Sequence, residues 1–140
     1  MSQETLRATI ADYLTTGVAA ALPSVQIRYE NRKFLQPKAT WIDFQIDHGA
    51  AGRASIGSTS RLNRKWGVIS IGVYVVEDSG TAEMNSTADT IINLFDNRQF
   101  NLSDGDQVTC QVPRFVVQGK VDGYMYGTVI VPFYRDHRAS

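Results

Sequence analysis

Residues 66–77, with the sequence WGVISIGVYVVE, decide the fold of this chain. Six of these twelve residues are β-branched and two are aromatic. β-Branched side chains lose rotamer freedom in a helix and pack well on the pleated surface of a sheet. We therefore predict a long central strand at this point of the chain.

Two segments on either side of this strand have the apolar spacing of amphipathic helices. In the first, Ser2 can serve as the cap and Pro23 as the stop. Its apolar positions are Leu6, Ile10, Tyr13, Leu14 and Val18. The second begins at Ser79 or Thr81, and its apolar positions are Met84, Ala88, Ile91, Ile92 and Phe95. Because residues three and four apart share one face of a helix, we predict that both helices cover a sheet.

Further strands are predicted before and after these elements. Residues 25–29 and 40–46 alternate apolar and polar side chains, as strands with one buried face do. Residues 108–136 read as two or three strands with a turn at Asp122 and Gly123, and Pro132 predicts an edge strand or a bulge. Most of the connections are short, so we predict one α+β domain over residues 1–140, a mainly antiparallel sheet with two helices packed on one face.

Two polar segments fall outside this pattern. Residues 47–65, DHGAAGRASIGSTSRLNRK, have almost no apolar periodicity. Connections in compact domains usually have about 4–6 residues, so a polar stretch of this length predicts a long functional loop between strands. The polar C-terminus, which includes Arg135, His137 and Arg138, predicts a frayed tail over residues 136–140.

The charge and cysteine content narrow the class of protein. The 14 basic and 14 acidic residues cancel, which argues against binding through a uniform attraction to nucleic acid or anionic lipid. Cys110 is the single cysteine, so an intramolecular disulfide cannot form, and we expect synthesis inside a cell. The N-terminal residues have no apolar signal-peptide core, and no apolar run is long enough to span a membrane.

The sequence contains no recognisable catalytic constellation. Cys110 lies in an apolar strand pattern that is typical of a buried side chain, and His48 and His137 have no metal-ligand spacing. Asp104 and Asp106 flank a glycine but lack the further ligands of a calcium loop. No phosphate-binding glycine motif is present. We predict a protein that is not an enzyme and uses no metal or cofactor.

The cations of the polar stretch are the strongest interaction signal. With Trp66 and Tyr74 nearby, the basic side chains could form a groove that holds phosphates and stacks on bases. Aromatic residues at strand spacing are more often packing residues, which favours contact with protein over contact with nucleic acid. The basic residues concerned are Arg53, Arg61, Arg64 and Lys65.

Four passages together resemble the tail terminator family of long-tailed bacteriophages. They are the N-terminal amphipathic helix, YENRKFLQPKATWIDFQI from Tyr29, GSTSRLNRKWGVISIGVYV from Gly57, and TADTIINLFD with the later DGYMYGTVIVPFYRD. They span almost the whole chain. The resemblance rests on spaced apolar residues and a few polar positions rather than on a catalytic signature.

The resemblance implies an α+β fold and a ring of six subunits in the virion, at the head-proximal end of the tail. The implied partners are the tail tube protein on one side and the head-tail connector protein on the other, with DNA passing through the central hole without sequence-specific binding. We expect Arg53, Arg61, Arg64 and Lys65 to contact the tube, a neighbouring subunit or the lumen. The residues expected at a subunit boundary are Tyr29, Asn31, Phe34 and Pro37.

Three other functions stay open at this level. The chain could be another neck component that joins the tail to the head without terminating the tube. It could also be a small binding module with no role in a virion, or an enzyme that carries no recognisable motif.

Overall fold

Two helices and seven strands form the part of the chain that the computed structural model describes, residues 3–23, 25–29, 39–53, 61–76, 81–121 and 123–139. In chain order they are α1 (Gln3–Ala21), β1 (Gln26–Arg28), β2 (Trp41–Arg53), β3 (Arg61–Val76), α2 (Ala82–Phe95), β4 (Gln99–Asn101), β5 (Gln107–Cys110), β6 (Arg114–Val121) and β7 (Tyr124–Ala139). The α+β fold class is confirmed. Both predicted helices are present, whereas the short strand β4 was not predicted.

The predicted central strand is β3, which lies in the middle of the sheet. The strands follow the order β1-β2-β3-β7-β5-β4, and β6 pairs with β7 beside β5. β3 and β7 are antiparallel over their whole length, from Arg61 opposite Ala139 to Val76 opposite Tyr124. All other pairs are antiparallel except β1 with β2, which are parallel.

One face of the sheet forms the core with both helices. Ile69, Ile71, Val73 and Val75 alternate along β3 and are fully buried. The buried helix residues that belong to the same cluster are Leu6, Ile10, Ala11, Leu14 and Val18 of α1 and Met84, Ala88, Ile91 and Phe95 of α2. The two helices are also tied directly, because the Tyr13 hydroxyl donates a hydrogen bond of 2.6 Å to the Leu94 carbonyl. The predicted packing of both helices on one face is confirmed.

The bounds of the predicted long loop were wrong. β2 continues to Arg53 and β3 begins at Arg61, so residues 47–53 and 61–65 are strand. These parts of β2 and β3 pair with each other from Asp47 opposite Val68 to Arg53 opposite Asn63, with a register shift after His48. Backbone hydrogen bonds between strands need no apolar pattern, which is why a polar sequence could hide two strands. Residues 54–60 lie outside the described residues.

The C-terminus was also predicted incorrectly. Residues 136–139 belong to β7 and pair with β3, so they are not a frayed tail. Pro132 lies on this central strand, not at a sheet edge, at the point where the partner of β7 changes from β6 to β5. The Pro132 carbonyl accepts a 2.8 Å hydrogen bond from the Gln111 N–H. Proline has no N–H to donate, and this position between β6 and β5 is one where neither strand needs that donor.

A buried ionic cluster holds the C-terminal part of β7. Arg135 is only 2% exposed, and its Nε donates to Asp106 Oδ2 at 2.6 Å while its Nη2 donates to Asp104 Oδ2 at 2.8 Å. His137 Nδ1 lies 2.5 Å from the other oxygen of Asp106. The turn before β5 is thereby tied to β7 where the apolar core ends.

We predict that Arg135→Met lowers the free energy of unfolding by about 3–5 kcal/mol, because it leaves the Asp106 carboxylate buried without its main countercharge. Chemical denaturation measures the change. The control is Arg7→Met, since Arg7 pairs with Glu4 on the surface of α1 and such pairs contribute about 0–1 kcal/mol. Equal losses in the two variants would show that the cluster is not a stabilising element.

The other face of the sheet carries a row of stacked aromatic rings. Tyr74 lies between Trp41 and Tyr126, with ring centroids 3.9 Å and 5.3 Å away. Its hydroxyl donates a 3.2 Å hydrogen bond to Asp43, whose other oxygen accepts the Gly72 N–H at 2.8 Å. A Cβ at position 72 would lie 2.3 Å from the nearer oxygen of that carboxylate, so any other residue there would displace the Asp43 side chain. Burial, followed by the Asp43 charge, raises the pKa of Tyr74 to about 12.

We predict that the stability supplied by Tyr74 falls above pH 10. Its pKa is raised from 10.0 to about 12 on folding, so its contribution is complete below pH 10 and is lost as the pH rises towards 12. The difference in unfolding free energy between the native chain and Tyr74→Phe should stay constant to about pH 9 and shrink by about pH 11. Denaturation at matched pH values tests this, and a constant difference would contradict it.

Candidate docking surface at the end of the sheet

The predicted interaction residues come together at one end of the sheet. We call this region the distal end, and it comprises residues 47–53 of β2, 61–67 of β3 and 133–139 of β7. Arg53 lies opposite Asn63, and Arg61 lies opposite Ala139. Arg64 and Lys65 lie opposite Gly52 and Ala51. The four cations therefore lie on two neighbouring strands at the same end of the sheet.

Arg64 is fixed within its own subunit. Its Nε and Nη2 donate to the two carboxylate oxygens of Asp136 at 2.7 Å and 3.1 Å. The guanidinium carbon also lies 4.0 Å from the centre of the Tyr134 ring. The hydrogen bond with Asp136 raises the pKa of Arg64. The side chain is thus held rigidly, with a delocalised charge against an aromatic ring.

Lys65 lies on the opposite face of the sheet from Arg64, because successive side chains of a strand alternate. In the register of β3 and β7 it is opposite Arg135 of the buried ionic cluster. The two cations that are adjacent in sequence are therefore available to different partners. A single groove lined by all four cations, as a nucleic-acid channel would need, is not the arrangement observed for Arg64 and Lys65.

Trp66 is the exposed aromatic residue of the distal end. It is 43% exposed and lies directly opposite Tyr134 on β7, next to the ring that carries Arg64. The Tyr74 ring, which the sequence analysis grouped with Trp66, is instead stacked between the rings of Trp41 and Tyr126. Alternation along β3 places both on the same face, so sequence spacing could not show that one is covered and the other open. Tyr134 and Asp136 were not singled out, because their roles depend on the pairing of β3 with β7.

The predicted subunit boundary is described at one of its four positions. The Tyr29 ring packs edge-on against Phe44 at a centroid distance of 6.2 Å. Its hydroxyl forms a hydrogen bond with the Thr15 hydroxyl of α1. Asn31, Phe34 and Pro37 lie outside the described residues, so their boundary role stays a prediction.

Two observations on the described residues concern a thiol and metal binding. Cys110 is buried, and burial raises the pKa of its thiol to about 12, which keeps it protonated at neutral pH. Within those same residues, no three His, Cys, Asp or Glu side chains come together to hold a metal ion. The distal end presents the partly exposed Trp66 ring and the Arg64 guanidinium on one face of the sheet.

Neither of the helices present in the described ranges is long and apolar enough to cross a membrane.

The fold matches that of a solved protein structure whose name states no function. The TM-score is 0.76 with 19% sequence identity, and the match covers 98% of this chain and 96% of the other. At this identity the match shows a shared fold alone. No curated protein matches the sequence.

A family model described as phage tail terminator protein matches residues 5–131. The match begins in α1 and ends within β7, so it includes both helices and the β2 and β3 parts of the distal end, but not residues 132–139 of β7. The family anticipated from the four sequence passages is confirmed, and the chain belongs to the phage tail terminator family.

Proposed function

We propose that six copies of this chain form a ring that caps the phage tail tube, stops its polymerisation and presents the interface for the head-tail connector protein. Membership of the tail terminator family makes the chain a component of the phage virion. The ring, its position at the head-proximal end of the tail and its two partners are the parts that we add. DNA passes through the central hole without contact to specific bases.

The exposed Trp66 beside the paired Arg64 carries the docking part of this proposal. Trp, Tyr and Arg are the residues that most often dominate the binding energy of protein interfaces. Here Trp66, Tyr134 and Arg64 lie side by side, and Asp136 holds the arginine in one geometry. Side chains that are already ordered lose little conformational entropy on binding. We propose that this surface meets the last ring of tail tube protein.

Termination requires a difference between two surfaces rather than a reaction. One side of the ring must bind the open end of the tube, and the other must fail to offer a surface that a further tube subunit recognises. The distal end lies at one end of the long β3–β7 pair, and the other end of the pair, at Val76 and Tyr124, carries different residues, so one subunit can present two different surfaces.

We predict that a phage lacking this gene makes tails of excessive and variable length, because tube polymerisation continues without a cap. Electron microscopy of the lysate measures the length distribution, and the gene supplied in trans should restore a uniform length. Tails of normal length that fail to join heads would contradict termination and would indicate a neck component.

We predict that Trp66→Ala weakens binding of the purified protein to tube ends by roughly thirtyfold or more, as expected for an interface residue worth about 2 kcal/mol or more. Lys65→Glu, on the opposite face of β3 from Trp66, should leave this binding unchanged at low and at high salt. Co-sedimentation with polymerised tail tube protein measures the binding of both variants.

The matched control for Trp66 is Val112→Ala. Val112 is 67% exposed and lies between β5 and β6, outside the residues that make up the distal end. Both variants should unfold near the native temperature, since surface substitutions usually change stability by less than about 0.5 kcal/mol. Unchanged tube binding by Trp66→Ala would place the docking surface elsewhere.

A further inference from the structure

β6 carries three exposed valines and is paired on one side only among the described residues. It pairs with β7, and no strand in the described ranges pairs with its outer side. Val116 and Val117 are 38% and 58% exposed, and Val121 is exposed as well. An open, apolar strand edge attracts another strand, and proteins usually cover or block such edges. Here a register shift between Val117 and Gly119 disrupts the second half of β6 and leaves the first half regular.

β1 and β6 are linked by rows of residues that lie opposite one another across the sheet, and the outer side of β1 is at the far end of these rows from β6. Three rows run across five strands, from β1 through β2, β3 and β7 to β6. They are Gln26-Trp41-Tyr74-Tyr126-Gly119, Ile27-Ile42-Val73-Gly127-Val117 and Arg28-Asp43-Gly72-Thr128-Val116. Within the described residues, β1 has a strand partner on one side only, which is β2. The two open edges are therefore level with each other across the sheet.

The strand directions of these two edges are compatible. β1 is parallel to β2, and each later step to β3, β7 and β6 is antiparallel, so β6 runs opposite to β1. A second copy placed by rotation about an axis along the strands keeps those directions. Its β1 would then meet β6 as an antiparallel pair, which is the more stable arrangement.

The side chains at the two edges are also compatible. Ile27 and Val117 end the same row and point to the face that carries the core, where Ile27 already packs against it. In the next row, Arg28 would lie opposite Val116, and Gln26 would lie opposite Gly119. No two like charges are directly opposite, and an isoleucine would cover the most exposed valine of the strand.

We propose that the edge of β6 binds the edge of β1 of a second copy of this chain, so that the sheet continues from one subunit to the next. This inference rests on the proposed ring and names its subunit contact. Because the two edges are different surfaces of the molecule, the contact is heterologous, and repetition of such a contact produces a closed ring when the rotation closes.

Cross-linking between chosen edge positions tests the contact. In the double variant Arg28→Cys/Val116→Cys, the cysteine at position 28 of one subunit would lie opposite the cysteine at position 116 of the next. Their Cβ atoms would be about 4.5–5.5 Å apart. A short bifunctional maleimide should give a ladder of covalent species that ends at the complete ring. Cys110 is buried with a raised pKa and should stay unmodified. Neither single variant should form a ladder, since a heterologous contact joins position 28 only to position 116.

The control double variant is Arg28→Cys/Gln99→Cys. Gln99 is exposed on β4, at the same side of the sheet as β6 but at the level of the distal end. It should give no ladder. Dimers from Val116→Cys alone would show that two β6 strands pair with each other and would overturn the inference.

Light scattering of a second pair of variants gives an independent test. Val117→Asp should weaken subunit association by about tenfold or more, because it places a charge in a covered apolar row, whereas Val112→Asp should leave it unchanged. Native rings that persist in Val117→Asp, together with no ladder in the first experiment, would refute the β1–β6 contact and leave the ring intact. A native chain that stays monomeric at high concentration would refute both.

Discussion

The continuous pairing of β3 with β7 is the constraint on which the rest of the structure depends. It places two sixteen-residue strands side by side without a register shift, from Arg61 opposite Ala139 to Val76 opposite Tyr124. In the first half of β7 this pairing aligns Val129 and Val131 with Ile71 and Ile69 under the helices. In the second half it brings Tyr134 beside Trp66 and Asp136 beside Arg64. One register thus specifies both the core and the candidate docking surface, and a shift of one residue would turn each of these side chains to the wrong face.

The two halves of these strands are stabilised by different forces. Under the helices, apolar burial suffices, since each fully buried Val or Ile contributes about 1.5–3 kcal/mol relative to exposure. On β7, Phe133 is the last residue that belongs to the core cluster, and polar contacts hold the strand beyond it. Arg135 is held by Asp104 and Asp106, and Arg64 by Asp136. The first cluster is buried and the second is partly open, so the inner cluster fixes the strand while the outer one orders a surface that a partner can reach.

The sequence was sufficient for the apolar half and insufficient for the polar half. Residues 66–77 and both helices could be predicted because burial imposes a periodicity that can be read residue by residue. The strand ends at residues 47–53, 61–65 and 136–139 could not, because backbone pairing between distant segments leaves no local pattern. Arg135 shows the limit most clearly. It looked like a residue of a polar tail, yet it is buried, since its charge is neutralised by aspartates about thirty positions earlier in the chain. The position of Pro132 on a central strand was hidden for the same reason, because it depends on the change in the partner of β7 from β6 to β5.

The same register also bears on how a ring of these subunits would form. Among the described residues, a long central pair with shorter strands on each side leaves open edges at β1 and β6 as well as at β4, and the unbroken register of β3 with β7 keeps β1 and β6 level on the same three rows. The distal end, with Trp66 and Arg64, lies further along the strands and is not part of those rows. Lateral association through the edges and docking through the distal end would therefore use different surfaces that lie along different directions. A ring that closes through its edges keeps its docking surfaces on one side, and six copies of one modest surface then bind a tube end together, which strengthens attachment without any new contact within a subunit.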